Sequence, residues 1–168
     1  MALRTPQPLL PFTLHLMHHE FYCIGDLLAY LRQATAEITE GYCRIGNVSS
    51  GLAEEILTAT GLDVRGFALV LDRSGIQHTL KQHGTANAAS EIAQGQVPIE
   101  EADFMALADW LPTPKIVRRG QARPGRFPMP CMELYAANPS GLVCAVMEYR
   151  PGRRRLALAT MYKKRPTT

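Results

Sequence analysis

Two long segments near the C-terminus, residues 142–149 and 154–163, are rich in Leu, Val, Ala, Met, Tyr and Thr and flank Arg150-Pro151-Gly152-Arg153. A Pro-Gly pair between two apolar runs is a turn signal, so this stretch predicts a β-hairpin. Residues 115–119 and 131–136 read as two more strands, joined by a basic loop over 121–130 with three prolines and two arginines. This pattern predicts a C-terminal antiparallel meander.

Upstream the period changes. Ile24, Leu27, Leu28, Leu31, Ala34 and Ile38 recur at helical spacing, predicting an amphipathic helix over 24–38. Ser49 or Ser50 can cap a second helix through Ala53, Ile56, Leu57 and Ala59, with Gly61 as its stop. Asp72 or Ser74 caps a third, over 75–83, before Gly84. Residues 85–94 read as a partly helical linker, and a helix over 99–110 carries Glu100, Glu101 and Asp103 in its first turn, where the helix dipole favours acids. Two stretches stay open. Residues 42–48 fit a short strand or a loop, and the apolar run 66–71 fits a buried strand or a buried helix. Helices first and a meander afterwards is the order of an α+β domain with segregated layers.

Charge is divided along the chain. From Lys115 onward there are twelve basic and two acidic residues, a net +10, which leaves six basic and thirteen acidic residues, a net −7, in the first 114. A basic third suits a polyanion such as nucleic acid. A solvated tail, or a match between the two halves, is the alternative. No apolar run reaches transmembrane length, and the proline-rich start lacks a secretory pattern, so no membrane association and a cytoplasmic location in a producing or target bacterial cell are expected. The four cysteines are irregularly spaced and read as reduced structural thiols. His15, His18, His19 and Cys23 are close in sequence, but no second ligand pair at finger spacing comes after them, so no metal and no cofactor are expected. A P-loop, a dinucleotide-binding glycine pattern and a Gly-x-Ser-x-Gly elbow are absent.

The densest chemical signal is Ile76-Gln77-His78-Thr79-Leu80-Lys81-Gln82-His83-Gly84. With Gly84 as a left-handed residue ending the helix, His83 would sit at the negative dipole end, which favours the imidazolium and suits acid–base work. His78, five positions earlier, falls about 140° away around the helix, so the two rings do not share a stripe. In the last strand, strict alternation puts Arg154, Leu156, Leu158, Thr160 and Tyr162 on one face. Thr160 and Tyr162 then form a hydroxyl pair, which plain β-propensity also explains.

Taken in order, Ile76-x-His78…His83-Gly84, an Asp-Phe-containing helix before Pro112, Val146-Met147-Glu148-Tyr149-Arg150 and the run from Arg155 to Lys164 resemble the phage branch of the barnase–EndoU–colicin–RelE-like (BECR) nucleases. The likeness spans about residues 42–165. It implies an α+β fold with N-terminal helices packed on a four-stranded antiparallel sheet, residues 41–168 as the nuclease domain and 1–40 as an accessory leader and helix. It also implies metal-independent RNA cleavage, through a 2′,3′-cyclic phosphate, by a phage or toxin effector. On this resemblance the catalytic candidates are His83, His78, Thr160, Tyr162 and Glu148. The RNA-binding candidates are Arg150, Arg154, Arg155, Lys163 and Lys164. Glu148 has a second reading, as an ion-pair partner of a nearby arginine. The expected partners are RNA, a tRNA included, and an acidic immunity or antitoxin protein. A non-catalytic RNA-binding protein and a phage structural or packaging accessory are the alternative functions.

Overall fold

The computed structural model describes residues 19–32, 41–122, 128–138 and 141–165. Among the described residues the α-helices and strands run β1 (His19–Phe21), α1 (Ile24–Arg32), β2 (Gly41–Asn47), α2 (Ser50–Thr60), β3 (Ala68–Asp72), α3 (Arg73–His83), α4 (Ala88–Ala93), β4 (Gln96–Val97), α5 (Glu101–Trp110), β5 (Ile116–Arg119), β6 (Cys131–Asn138), β7 (Gly141–Arg150) and β8 (Arg155–Lys164). One sheet takes the strands in the order β1-β2-β3-β8-β7-β6-β5, with β4 also paired to β8.

The expectation of a four-stranded antiparallel sheet is therefore corrected. The fold is α+β, but among the described residues the sheet has eight strands and is mixed, with β1 parallel to β2 and β3 parallel to β8. The meander β5-β6-β7-β8 is only half of it. The apolar run left open between strand and helix is β3, whose Leu69, Val70 and Leu71 are buried, and it extends the sheet by pairing Ala68–Val70 with Arg155–Ala157. β2 then adds to β3, and β1 to β2, so strands lie among the helices rather than after them.

Local chemistry sets the helix boundaries. The Leu52 N–H donates to the Ser49 side chain at 3.2 Å, and α2 ends on Gly61 at φ 75°, where a left-handed residue is needed. Asp72 caps α3 by accepting the Gly75 N–H at 2.8 Å. Glu100 and Asp103 form a capping box on α5. α1 contributes Ile24, Leu27 and Leu28 to the same core as Ile56 of α2, Ile76 of α3 and Phe104 and Leu107 of α5, packed on Leu69, Met132, Leu134, Met147, Leu156 and Leu158 of the sheet.

The placement of α3 decides where His83 lies. β3 leaves β8 after Val70 pairs with Ala157, and β4 joins β8 only at Lys163 and Lys164. α3 fills the interval. A side chain on Gly75 would overlap the Leu158 carbonyl oxygen, so only glycine lets the helix backbone approach the strand this closely. One turn later the buried Thr79 hydroxyl donates to the Gly75 carbonyl at 2.8 Å and accepts the Met161 N–H at 3.1 Å. The helix thus satisfies a strand edge that no neighbouring strand reaches.

Candidate active site

α3 ends at His83. Gly84 is extended (φ −82°, ψ 178°), not left-handed as expected, and the chain moves straight into a short pairing in which the His83 carbonyl accepts the Ile99 N–H at 2.6 Å. Glycine is needed here because a side chain would overlap the Leu80 carbonyl. The Asn87 side-chain amide donates to the otherwise open carbonyls of Lys81 and Gln82, which folds the chain back into α4. α4 carries Glu91 to within 3.2 Å of His83 Nδ1. The Glu91 carboxylate is 4% exposed and the imidazole 22%. A buried carboxylate on Nδ1 orients the ring and leaves Nε2 for other work.

The face of β8 that meets His83 is set by a bulge. Met147 pairs with Leu158 but Val146 pairs with Thr160, so Ala159 is an extra residue in β8. Strict alternation is broken there. Leu156, Leu158 and Met161 face the helices, whereas Thr160 and Tyr162 point to the opposite side of the sheet, correcting the single shared face expected from sequence. Thr160 and Tyr162 do lie side by side, and the Tyr162 and His83 rings are 6.1 Å apart between centroids. The Thr160 hydroxyl oxygen is buried and has no hydrogen-bond partner among the described residues.

Cross-strand register builds the rest. Tyr135, Cys144 and Tyr162 stand in one row across β6, β7 and β8. The small Cys144 lets the two rings lean together above it, with their hydroxyl oxygens 3.3 Å apart. The Tyr135 hydroxyl donates to Glu133 at 2.5 Å. Burial raises the Tyr162 phenol far above its ordinary range, with hydrogen bonding to Cys144 and Tyr135 adding to it, and burial and then Glu133 do the same for Tyr135. Both phenols are therefore neutral at physiological pH. Burial pushes the Cys144 thiol up to about 11, which rules it out as a thiolate nucleophile at neutral pH. Lys164 Nζ lies 5.6 Å from the Tyr162 ring and the Arg118 guanidinium 5.5 Å from the Tyr135 ring, bringing positive charge to the same face.

The other sequence-derived candidates lie elsewhere or are engaged. His78 is exposed on α3. Glu148 is buried and accepts from Arg150 at 2.8 Å. It pairs with Ala157, five residues before Tyr162 and so about 15 Å away along the strand. Arg150 also binds Asp72 at 2.6 Å. Arg154, the one non-glycine described residue with positive φ, donates to the Arg65 carbonyl at 3.1 Å. Arg155 lies 4.0 Å from the Tyr42 ring centroid, and the buried Lys163 binds Asp103 at 2.7 Å. Of the five RNA-binding candidates, Lys164 alone accompanies Tyr162. In the early cluster, His15 and His18 fall outside the described residues, and His19 lies in β1.

Sequence reasoning missed Glu91, Glu133 and Tyr135. Glu133-x-Tyr135 on a strand places both on one face, but nothing local says which face Tyr162 shares. A groove of about 400 Å³ among α1, α3 and α5, bordered by Leu28, Leu80 and Glu101, includes neither His83 nor Tyr162 in its lining. Among the described residues no helix is long and apolar enough to cross a membrane. No family model, no curated protein and no solved structure matches the chain.

Proposed function

We propose that the chain is a metal-independent endoribonuclease of the BECR kind, cleaving RNA by attack of a 2′-hydroxyl on the neighbouring phosphate to leave a 2′,3′-cyclic phosphate and a 5′-hydroxyl. The observation that carries this reading is the His83–Glu91 pair, 3.2 Å apart, with the Tyr162 ring 6.1 Å from the imidazole between centroids. The reaction needs a group that moves a proton at the reacting oxygens and donors or cations for the phosphorane charge. His83 Nε2 supplies the first, with Nδ1 held by Glu91. Tyr162 and Lys164 are the neighbours that would meet the phosphate, with the Thr160 hydroxyl buried behind them. The ordered motifs around His83 and Tyr162 add the family resemblance to this support.

The test is incubation of end-labelled RNA in EDTA, followed by analysis of product termini. Cyclic-phosphate ends are expected. His83→Ala should lower the rate by about 10²–10⁴-fold, the range for losing a general acid or base. Glu91→Gln, which keeps the shape but weakens the grip on Nδ1, should cost less than His83→Ala. RNA that is bound in a salt-sensitive way but stays intact would replace this reading with that of a non-catalytic RNA-binding protein.

A further inference from the structure

Transesterification needs two proton transfers, one from the attacking 2′-hydroxyl and one to the leaving 5′-oxygen. His83 with Glu91 accounts for one. His78 stands five positions before His83 on α3 and about 140° round the helix from it, and Glu148 accepts from Arg150 at a place about 15 Å from Tyr162 along the strand. The carboxylate connected to Tyr162 by hydrogen bonds is Glu133, through Tyr135. We infer that Glu133 is the proton acceptor of the reaction, reached through Tyr135 and Tyr162, and that His83 is the acid; this rests on the ribonuclease reading above.

The direction of the chain comes from donor counting. An ionised carboxylate only accepts, so the single Tyr135 hydrogen goes to Glu133. The Tyr135 oxygen then accepts from Tyr162, with the Cys144 sulfur a further hydrogen-bond neighbour of both phenols, and in this scheme a lone pair of the Tyr162 oxygen takes the 2′-hydroxyl. As the 2′-oxygen bonds to phosphorus, its proton passes to the Tyr162 oxygen. The Tyr162 proton moves to Tyr135, and the Tyr135 proton moves to Glu133. The bond from phosphorus to the 5′-oxygen breaks, and that oxygen takes the proton from His83 Nε2. The products are a cyclic phosphate, a 5′-hydroxyl, a protonated Glu133 and a neutral His83, and exchange with water restores the last two. Neither tyrosine becomes a phenolate at any point, in keeping with how strongly both hold their protons.

Several other groups face this line. Arg118 on β5 pairs directly with Glu133, and its guanidinium lies over the Tyr135 ring. Cys144 on β7 sits between the tyrosines, Lys164 on β8 lies over Tyr162, and His83 of α3, held by Glu91 of α4, closes the far end. Glu133 and Tyr135 act through Tyr162 and are positioning residues in this scheme.

The experiment is the pH dependence of kcat for the full chain on a short RNA, for wild type, Glu133→Gln and Tyr135→Phe, with thermal melts of each. Wild type should give a bell, its acid limb from Glu133 and its alkaline limb from His83. Glu133→Gln should lose the acid limb and keep the alkaline one. Tyr135→Phe, which keeps the ring under Arg118 and removes one oxygen, should lower kcat by about 10²-fold with KM changed less than threefold. If Glu133→Gln does not fold, Tyr135→Phe carries the test. Cleavage by both variants at the wild-type kcat, or a lowered kcat with the acid limb intact, overturns the relay and leaves the ribonuclease reading standing. Intact RNA with the wild type overturns both.

Discussion

At the scale of single residues, Arg150 shows how a candidate RNA contact is claimed by the fold. Its guanidinium binds Asp72 at 2.6 Å and Glu148 at 2.8 Å, with the arginine 23% exposed and the two acids 15% and 9%. Burial works against its charge, but Asp72 and Glu148 outweigh that and raise its pKa further. Asp72 is also the cap of α3, so this arginine ties the β7–β8 turn to the start of the helix that carries His83. Arg150→Leu should leave two carboxylates close together without their cation and cost about 2–4 kcal/mol, at the low end for breaking a buried pair because each group keeps some water. Urea unfolding measures this, and a loss under about 0.5 kcal/mol, that of an ordinary surface change, would reduce the tether to a surface contact. His83, from its dense local motif, and Tyr162, from the family resemblance, were picked out as candidates in the sequence. Glu91 was not, since its approach to His83 depends on how the chain folds back after Gly84.

The decisive element is α3, and it works by lying along the edge of β8 instead of over a sheet face. That position lets its last residue reach round to the side where Tyr162 points. Two features make it possible, the bare backbone of Gly75 against Leu158 and the Thr79 hydroxyl on Met161. Thr79→Val keeps the shape but leaves the buried Met161 N–H unpaired, a loss of about 1–3 kcal/mol. Thr79→Ser should restore most of it. A valine variant with the wild-type urea midpoint would mean that the edge finds another acceptor. Most of α2, α3 and α5 and the four strands β5–β8 were legible from caps, periodicity and turn residues. The bulge was not. Leu and Ala alternate evenly from Leu156 to Ala159, so the sequence carries no mark of the extra residue that turns Thr160 and Tyr162 away from the core.

For the molecule as a whole, the unread part is the half of the sheet beyond β8. Parallel pairing of β3 with β8 joins segments more than eighty residues apart and needs a long crossover, so no turn signal announces it. Cysteines are buried on both faces of the completed sheet. Cys43 of β2 lies in the core under α1, and Cys144 of β7 lies on the opposite face beneath the tyrosine pair, both almost fully buried. Burial raises both thiols from 9.0 to about 11, with the nearby acids and Cys23 adding to it at Cys43. Below pH 9 the folded and unfolded chains both hold these protons, and the thiols give stability no slope. Above 9 the unfolded chain releases them first, so stability falls as the pH rises, until the folded thiols also ionise near 11. At about 1.4 kcal/mol per pKa unit, each thiol accounts for a loss of roughly 3 kcal/mol across that window. Tyr135 and Tyr162, held above their ordinary value of 10.0, steepen the same fall. Urea midpoints at pH 8 and pH 10.5 should therefore drop sharply for the wild type. A chain carrying Cys43→Ala and Cys144→Ala should start lower, because of the methyl-sized cavities, and fall less between the two pH values. Equal slopes for the two chains would show that the alkaline loss arises from other groups.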